Sequence, residues 1–230
     1  MNLFYQPEIP QGVHHLDREE SHHAIRVLRM NEGQSIELTD GKGSFYVAKI
    51  SKADPKKCEF EILENKPAQR DYFHIHIAIA PTKNADRIEW FVEKATEIGV
   101  DQISFMLCKN SERKVINHER VEKVAISAMK QSQQAWLPKI SEIIPFKEIF
   151  SKPADQKFIA YVDSTNPTHL KQIAKPKKNY LILVGPEGDF SKEELELALE
   201  NGFEKVSLGQ NRLRTETAGL AAVQVLNLIQ

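Results

Sequence analysis

Over the first seventy residues, apolar side chains alternate with polar ones in short runs. In Gln34–Asp40, Ile36 and Leu38 alternate with polar neighbours. Gly41-Lys42-Gly43 then supplies a turn, and Ser44–Lys52 alternates again. A second turn at Asp54–Lys57 leads into Cys58–Leu63, with Phe60 and Ile62 in step. Short strands punctuated by Gly and Pro turns predict a small barrel or sandwich. One helix is predicted at Arg18–Met30, where Ile25 and Leu28 share a face. Lys66–Arg70 reads as a linker, so the first domain is placed at residues 1–68.

From residue 69 to 230 the pattern changes. Phe73–Ala80 predicts a strand with Phe73, Ile75, Ile77 and Ile79 on one face. Asp86–Ile98 carries apolar residues at helical spacing and ends at Gly99, a natural C′ residue. Further strands are predicted at Ile103–Leu107, Phe158–Val162, Tyr180–Val184 and Lys205–Leu208. Helices are predicted at Glu119–Trp136, Thr168–Ala174, Ser191–Glu200 and Thr217–Ile229. Strands alternating with helices, the later strands apolar on both faces, predict an α/β domain with a parallel sheet and helices on both sides.

Composition narrows the possibilities. The chain has 230 residues, net charge −1, and two cysteines in no metal-ligand spacing, Cys58 and Cys108. Two isolated thiols fit a reducing compartment, and no leader or membrane-spanning run is read in the sequence, so a cytoplasmic protein is expected. Residues 1–70 hold ten Lys/Arg and eleven Asp/Glu, and the remainder holds 21 of each. Any nucleic-acid partner must therefore be met by a local patch rather than a basic domain. Arg26 and Arg29, with His22 and His23, are the candidate patch; a solvated helix edge is the equal alternative for the histidines. His14, His15, His22 and His23 cluster, but no Asp, Cys or further His recurs at ligand spacing, so no metal is expected. His74 and His76 alternate on one strand face and read as structural.

Two loops carry the candidate chemistry, and both follow predicted strands, where ligands sit in open α/β sheets. In the first, Leu183-Val184 runs into Gly185-Pro186-Glu187-Gly188-Asp189. Ser191 then caps a helix with Glu194 completing a capping box. Two glycines around a proline give a bare, stiff backbone that a flat ligand can approach; on the residues alone, a plain strand-to-helix turn fits as well. The second loop is Leu208-Gly209-Gln210-Asn211-Arg212-Leu213-Arg214-Thr215-Glu216-Thr217. It opens a helix that is apolar nearly all round and so must be buried on most sides, in a core or a subunit interface. Arg214 is available for chemistry, or for a structural bridge to Glu216 or Glu187. Neither loop is a phosphate loop, because Gly-Lys-Ser/Thr and Gly-x-Gly-x-x-Gly are both missing.

Together these segments resemble the ribosomal RNA small-subunit methyltransferase E family, within the SPOUT superfamily of knotted methyltransferases. Its pattern is Gly-Pro-Glu-Gly-Gly-Phe-Ser and Leu-Gly-x-x-Ile-Leu-Arg-x-Glu-Thr-Ala. The segment Lys83–Val100, Gln131-Ser132 with Leu137-Pro138, and His22–Arg29 are similar to three further family motifs. Departures are Asp189 for the second glycine, Arg212 for an apolar residue, and Gln134 near a common arginine.

The resemblance implies a PUA-like β-barrel that binds RNA, through His22, His23, Arg26 and Arg29, ahead of a SPOUT domain with a C-terminal trefoil knot. It implies a homodimer that methylates N3 of a uridine in small-subunit ribosomal RNA. S-adenosylmethionine would be held by Leu183, Val184, Gly185, Pro186, Glu187 and Gly188 from the first loop. Leu208, Gly209, Asn211, Leu213, Arg214 and Thr217 would hold it from the second. Arg214, Glu216 and Glu187 are the candidate catalytic residues, with the choice between the two acids open. A non-catalytic RNA-binding or ribosome-assembly protein retaining the same fold is the alternative.

Overall fold

A computed structural model describes residues 3–69, 72–161 and 168–230. The chain forms two compact units, Met1–Arg70 with Ile126–Leu137, and Asp71–Ala125 with Pro138–Gln230. The first unit is discontinuous, because it takes in a segment from the middle of the chain.

In the first unit, β1 (Leu3–Tyr5) runs parallel to β2 (Ser35–Thr39). Strands β3 (Ser44–Lys52) and β4 (Glu59–Pro67) continue one four-stranded sheet by antiparallel pairing. The alternation predicted for β2 and β3 is seen in burial. Ile36, Leu38, Ala48 and Ile50 are sealed with Phe4 and Phe60.

Three expectations are corrected here. The stretch read as a linker begins as strand, since β4 runs through Lys66 and Pro67. Its polar residues pair on β3 through backbone groups, which hydropathy does not register; Arg70 lies outside the described residues. The helix at 18–30 is α-helical only as α1 (Arg18–His22) and becomes a π-turn over His23–Val27, with Arg29 in the left-handed region at φ 53°. Helical spacing therefore does not relate Arg26 to Arg29. Helix α3 (His118–Gln131) stops short of Trp136, which packs on the β2–β3 turn instead. A side chain at Gly43 would meet the indole at 2.2 Å, so glycine is required at that turn.

The second unit contains a six-stranded sheet in which every pairing is parallel. Its strands are β5 (His74–Ile79), β6 (Gln102–Leu107), β7 (Lys139–Pro145), β8 (Gln156–Ala160), β9 (Asn179–Val184) and β10 (Glu204–Val206), in the order β10-β8-β9-β5-β6-β7. Central strands β5 and β9 are buried on both faces, as a parallel sheet covered on both sides requires. On one face, Ala78, Leu181 and Leu183 pack with Phe190 and with Ala198 of α5 (Lys192–Glu200). The other face carries α6 (Thr215–Leu228), which packs on α2 (Ala85–Ile98), β5 and β9. The short α4 (Leu170–Ile173) also touches α6.

Strand β7 and the 3₁₀ turn at Phe146–Ser151 were not predicted. The reason lies in register. Ile103 opposes Ile140, but Phe105 opposes Ile143, so β7 carries one extra residue. That bulge breaks the period-two pattern, and the half-exposed edge position removes the continuous apolar run.

Two measurements check this packing. A Cβ on Gly219 of α6 would lie 2.6 Å from the buried Phe91 ring of α2 and 3.1 Å from Ile79. Gly219→Ala should therefore lower the unfolding free energy by about 1–3 kcal/mol in denaturant titration, despite alanine's better helix propensity. His76 is buried with its Nε2 2.8 Å from Ser104 Oγ. Burial, then the neighbouring His74 and Lys152, push its imidazole from 6.5 down to about 3. Between those values the unfolded chain takes a proton that the folded chain refuses. Stability present above ~6.5 should fall on acidification by about 1.4 kcal/mol per pH unit from this residue, and His76→Gln should flatten that slope.

Candidate active site

Because all six strands are parallel, β8, β9 and β10 deliver their carboxyl ends to one edge. The two glycine-bearing loops leave β9 and β10 there and enclose a cleft of about 500 Å³. Val184–Glu187 and Asp189 form one wall, and Val206–Arg214 form the other. Ala160 and Tyr161 close the end beside β8, and Thr215 and Ala218 present the first turn of α6. Thr215 Oγ1 ties the walls together by donating to the Gly185 carbonyl at 3.0 Å.

Local chemistry shapes each wall. Ser191 and Glu194 make the predicted capping box, each side chain meeting the other's backbone N–H. A turn precedes it, with the Asp189 N–H donating to Pro186 O at 2.9 Å. Asp189 itself is left-handed, at φ 62°. This explains why the position suits glycine and tolerates aspartate, the residue type that visits this region most readily after glycine and asparagine. Its Oδ1 accepts from the Phe190 N–H at 2.8 Å. Burial raises the Asp189 carboxyl pKa, outweighing the Phe190 N–H and the nearby Arg212, which both lower it.

Nine of the residues nominated for cofactor binding line the cleft: Val184, Gly185, Pro186, Glu187, Leu208, Gly209, Asn211, Leu213 and Arg214. Leu183 is sealed in the sheet core, Gly188 backs onto Asn110, and Thr217 is exposed on α6 outside the lining. Ala160, Tyr161, Asp189, Val206, Ser207, Gln210, Arg212, Thr215 and Ala218 also line it, outside the set expected from the sequence. Those on β8 carry no sequence signal, because only the parallel pairing brings that strand beside β9.

The three candidate catalytic residues separate. Arg214 is the exposed N-cap of α6, with no ion pair among the described residues. It bridges to neither acid. Glu216 is 5% exposed and turns to Arg87 of α2, with Arg87 Nε 3.7 Å from its Oε1. Its Oε2 is buried without a partner, and Glu216 does not line the cleft. Glu187 does line it, with Oε1 accepting from the Lys83 N–H at 3.0 Å and Oε2 buried and unpartnered. From the opposite wall, Arg212 Nη2 donates to the Glu187 carbonyl at 3.4 Å.

In the first unit, His22, His23, Arg26 and Arg29 are all exposed, and His23 makes an edge contact with Phe4. Among the described residues, no group of three His, Cys, Asp or Glu is arranged to hold a metal. No helix among them is long and apolar enough to cross a membrane.

Comparison with known proteins bears on this arrangement. The RNA methyltransferase domain family matches residues 69–227, and the RNA methyltransferase PUA domain family matches residues 16–63. The chain is 30% identical to the ribosomal RNA small subunit methyltransferase E of Buchnera aphidicola subsp. Acyrthosiphon pisum (strain APS), over 92% of this chain and 86% of that protein. A probable rRNA-methyltransferase from Porphyromonas gingivalis superposes with TM-score 0.93 at 46% identity, covering 100% of this chain and 98% of that one. A ribosomal RNA small subunit methyltransferase E from Neisseria gonorrhoeae, solved bound to S-adenosyl methionine, superposes with TM-score 0.87 at 28% identity, covering 100% and 98%.

The left-handed backbone at Asp189 yields a paired prediction. Asp189→Gly trades one half-exposed hydrogen bond for relief at positive φ, and should stay within about 1 kcal/mol of the parent. Asp189→Val, β-branched at the same φ, should lose more than about 1 kcal/mol in thermal unfolding.

Proposed function

The chain belongs to the ribosomal RNA small subunit methyltransferase E family, and from that premise we propose that it methylates N3 of a specific uridine in small-subunit ribosomal RNA, with S-adenosylmethionine as methyl donor. The observation that carries the reading is the cleft itself. Two loops from parallel strands of one sheet are tied by the Thr215–Gly185 bond, and Arg214, with no ion pair among the described residues, lines the cleft they form.

The cleft residues fit the donor. A volume of about 500 Å³ lies in the range of small-molecule sites. Val184, Leu208, Leu213 and Ala160 offer apolar surface to a base, while the loop backbones offer hydrogen-bonding groups. The orphaned, buried Oε2 of Glu187 has acceptor capacity for a hydroxyl or amino group that the protein itself does not supply. When bound, S-adenosylmethionine supplies an activated methyl group for in-line displacement, so the protein's main task is positioning.

The remaining demand is a proton. Uridine N3 carries one at neutral pH and must lose it before or during attack. Arg214, exposed and unpaired, stabilises negative charge that develops on the uracil carbonyl oxygens. Glu187, which lines the cleft, is favoured over Glu216 as the acceptor, because Glu216 is turned to Arg87 and lies outside the lining.

The family likeness extends the proposal beyond the site. The N-terminal sheet closes as a PUA-like barrel and meets RNA through its exposed His22, His23, Arg26 and Arg29. The C-terminal segment that bears both loops threads the SPOUT trefoil knot. A homodimer covers the outer face of α6, where Leu220, Ala221 and Val225 stay half-buried and Leu228 is 71% exposed. The enzyme works in the cytoplasm, on ribosomal RNA or an assembled small subunit.

Arg214→Ala should cut methyl transfer by about 10²-fold or more, while calorimetry shows S-adenosylmethionine still binding within a few-fold. Unchanged turnover removes Arg214 from the chemistry. An N3 methyl blocks the pairing edge of uracil, so small-subunit ribosomal RNA from cells lacking this gene should lose one reverse-transcription stop. A full set of stops in those cells overturns the proposed reaction.

A further inference from the structure

The loop after β6, Lys109–Asn117, carries none of the sequence motifs, yet it bonds directly to the Glu187 turn. Asn110 Nδ2 donates to the carbonyls of Gly188 and Asp189 at 3.3 and 3.0 Å. The Lys109 N–H donates to Glu194 of the capping box at 2.7 Å. Further along, Arg113 reaches the loop between β5 and α2. Its Nε lies 3.0 Å from the Thr82 carbonyl and 3.1 Å from the Lys83 carbonyl, and its Nη2 lies 2.6 Å from the latter.

The Thr82 carbonyl and the Lys83 N–H are the two ends of one planar peptide group. Arg113 donates to the first, and the second donates to Glu187 Oε1 at 3.0 Å. A cation on the carbonyl polarises the amide and strengthens the bond that its N–H makes to a carboxylate. The planar guanidinium suits the task, because its fork spans two successive carbonyls, which a lysine ammonium cannot do in the same geometry. The side chain of Lys83 is not part of this chain of bonds; its Nζ pairs with Glu112 at 2.8 Å in solvent.

We infer that Arg113 is a positioning residue of the methyl-transfer site: it clamps the Thr82–Lys83 peptide so that the Lys83 N–H holds one oxygen of Glu187 and fixes that carboxylate in the cleft wall. The inference deepens the proposed function and rests on Glu187 being used there. Glutamate has three side-chain torsions to order, and a carboxylate held by one fixed amide keeps its second oxygen in a defined place. The groups Arg113 bonds among the described residues, the Thr82 and Lys83 carbonyls, lie outside the cleft lining. Its effect on catalysis passes through Glu187.

A double-mutant cycle with a spectroscopic readout tests this. Methyl transfer to small ribosomal subunits is measured for the full-length protein, for Arg113→Gln, for Glu187→Gln and for the double variant. Arg113→Gln should lower kcat/KM by about tenfold or more in the parent, and by less than about twofold when Glu187 is already glutamine. Equal losses in both backgrounds would mean that Arg113 merely anchors its loop, and overturn the inference. Lysine-selective ¹⁵N labelling gives a second readout that needs no activity. The Lys83 amide proton should move upfield in both single variants, and an unmoved resonance in Arg113→Gln overturns the clamp. Arg113→Lys, which keeps the charge and one carbonyl contact, should restore part of the rate and serves if the glutamine variant fails to fold. If Glu187→Gln is as active as the parent, the role of Glu187 fails, while the Lys83 resonance still decides whether the clamp exists.

Discussion

A parallel sheet sends every strand's carboxyl end to the same edge, and most of what this chain does at its site follows from that constraint. The loops after β5, β6, β9 and β10 all start from that edge. Their sequence separations are large: Lys83 bonds Glu187 across 104 residues, and Arg113 reaches Lys83 across 30. Such contacts need no adaptation of the loops toward one another beyond the right donors and acceptors, since the buried strands β5 and β9 have already placed them. The continuous burial of those strands is therefore what gives the loops their common frame.

Within that frame the cleft is held by few interactions, each with a distinct task. Thr215 to Gly185 joins the two walls, and the Ser191–Glu194 box fixes where α5 begins. Asp189 takes the one strained backbone position of the first wall and stabilises it locally through the Phe190 amide. Two carboxylates that look equivalent along the chain end in different surroundings. Glu216 is buried under Arg87, whereas Glu187 lies in the cleft wall with one oxygen held by the Lys83 amide and the other buried without a hydrogen bond among the described residues. Arg214 of the second wall makes an ion pair with neither acid among the described residues.

The close packing of α6 is the structural counterpart. Gly219 lets the helix approach Phe91 and Ile79, so that Thr215 at its start reaches the Gly185 carbonyl. A helix displaced outward by one methyl group would loosen the bond between the walls. Stability and site geometry are thus coupled through a residue outside the cleft lining.

Residue pattern alone determined the class and the strongest elements: alternation in β2 and β3, the helical period and Gly99 stop of α2, the capping box of α5, and both loops at strand ends. These are readable because their causes are local, acting within a few residues. The motifs around Glu187 and Arg214 were legible too, since each lies in a short contiguous run. Tertiary structure decided the rest. Strand β7 is hidden by a bulge, polar Lys66 and Pro67 become strand because β3 lies beside them, and Trp136 leaves its helix to cover Gly43. Which acid faces the cleft, and the path from Arg113 through a peptide group to Glu187, depend on strands far apart in sequence being neighbours in the sheet. No local pattern carries that information, because loop closure over a hundred residues leaves no trace in the spacing of side chains.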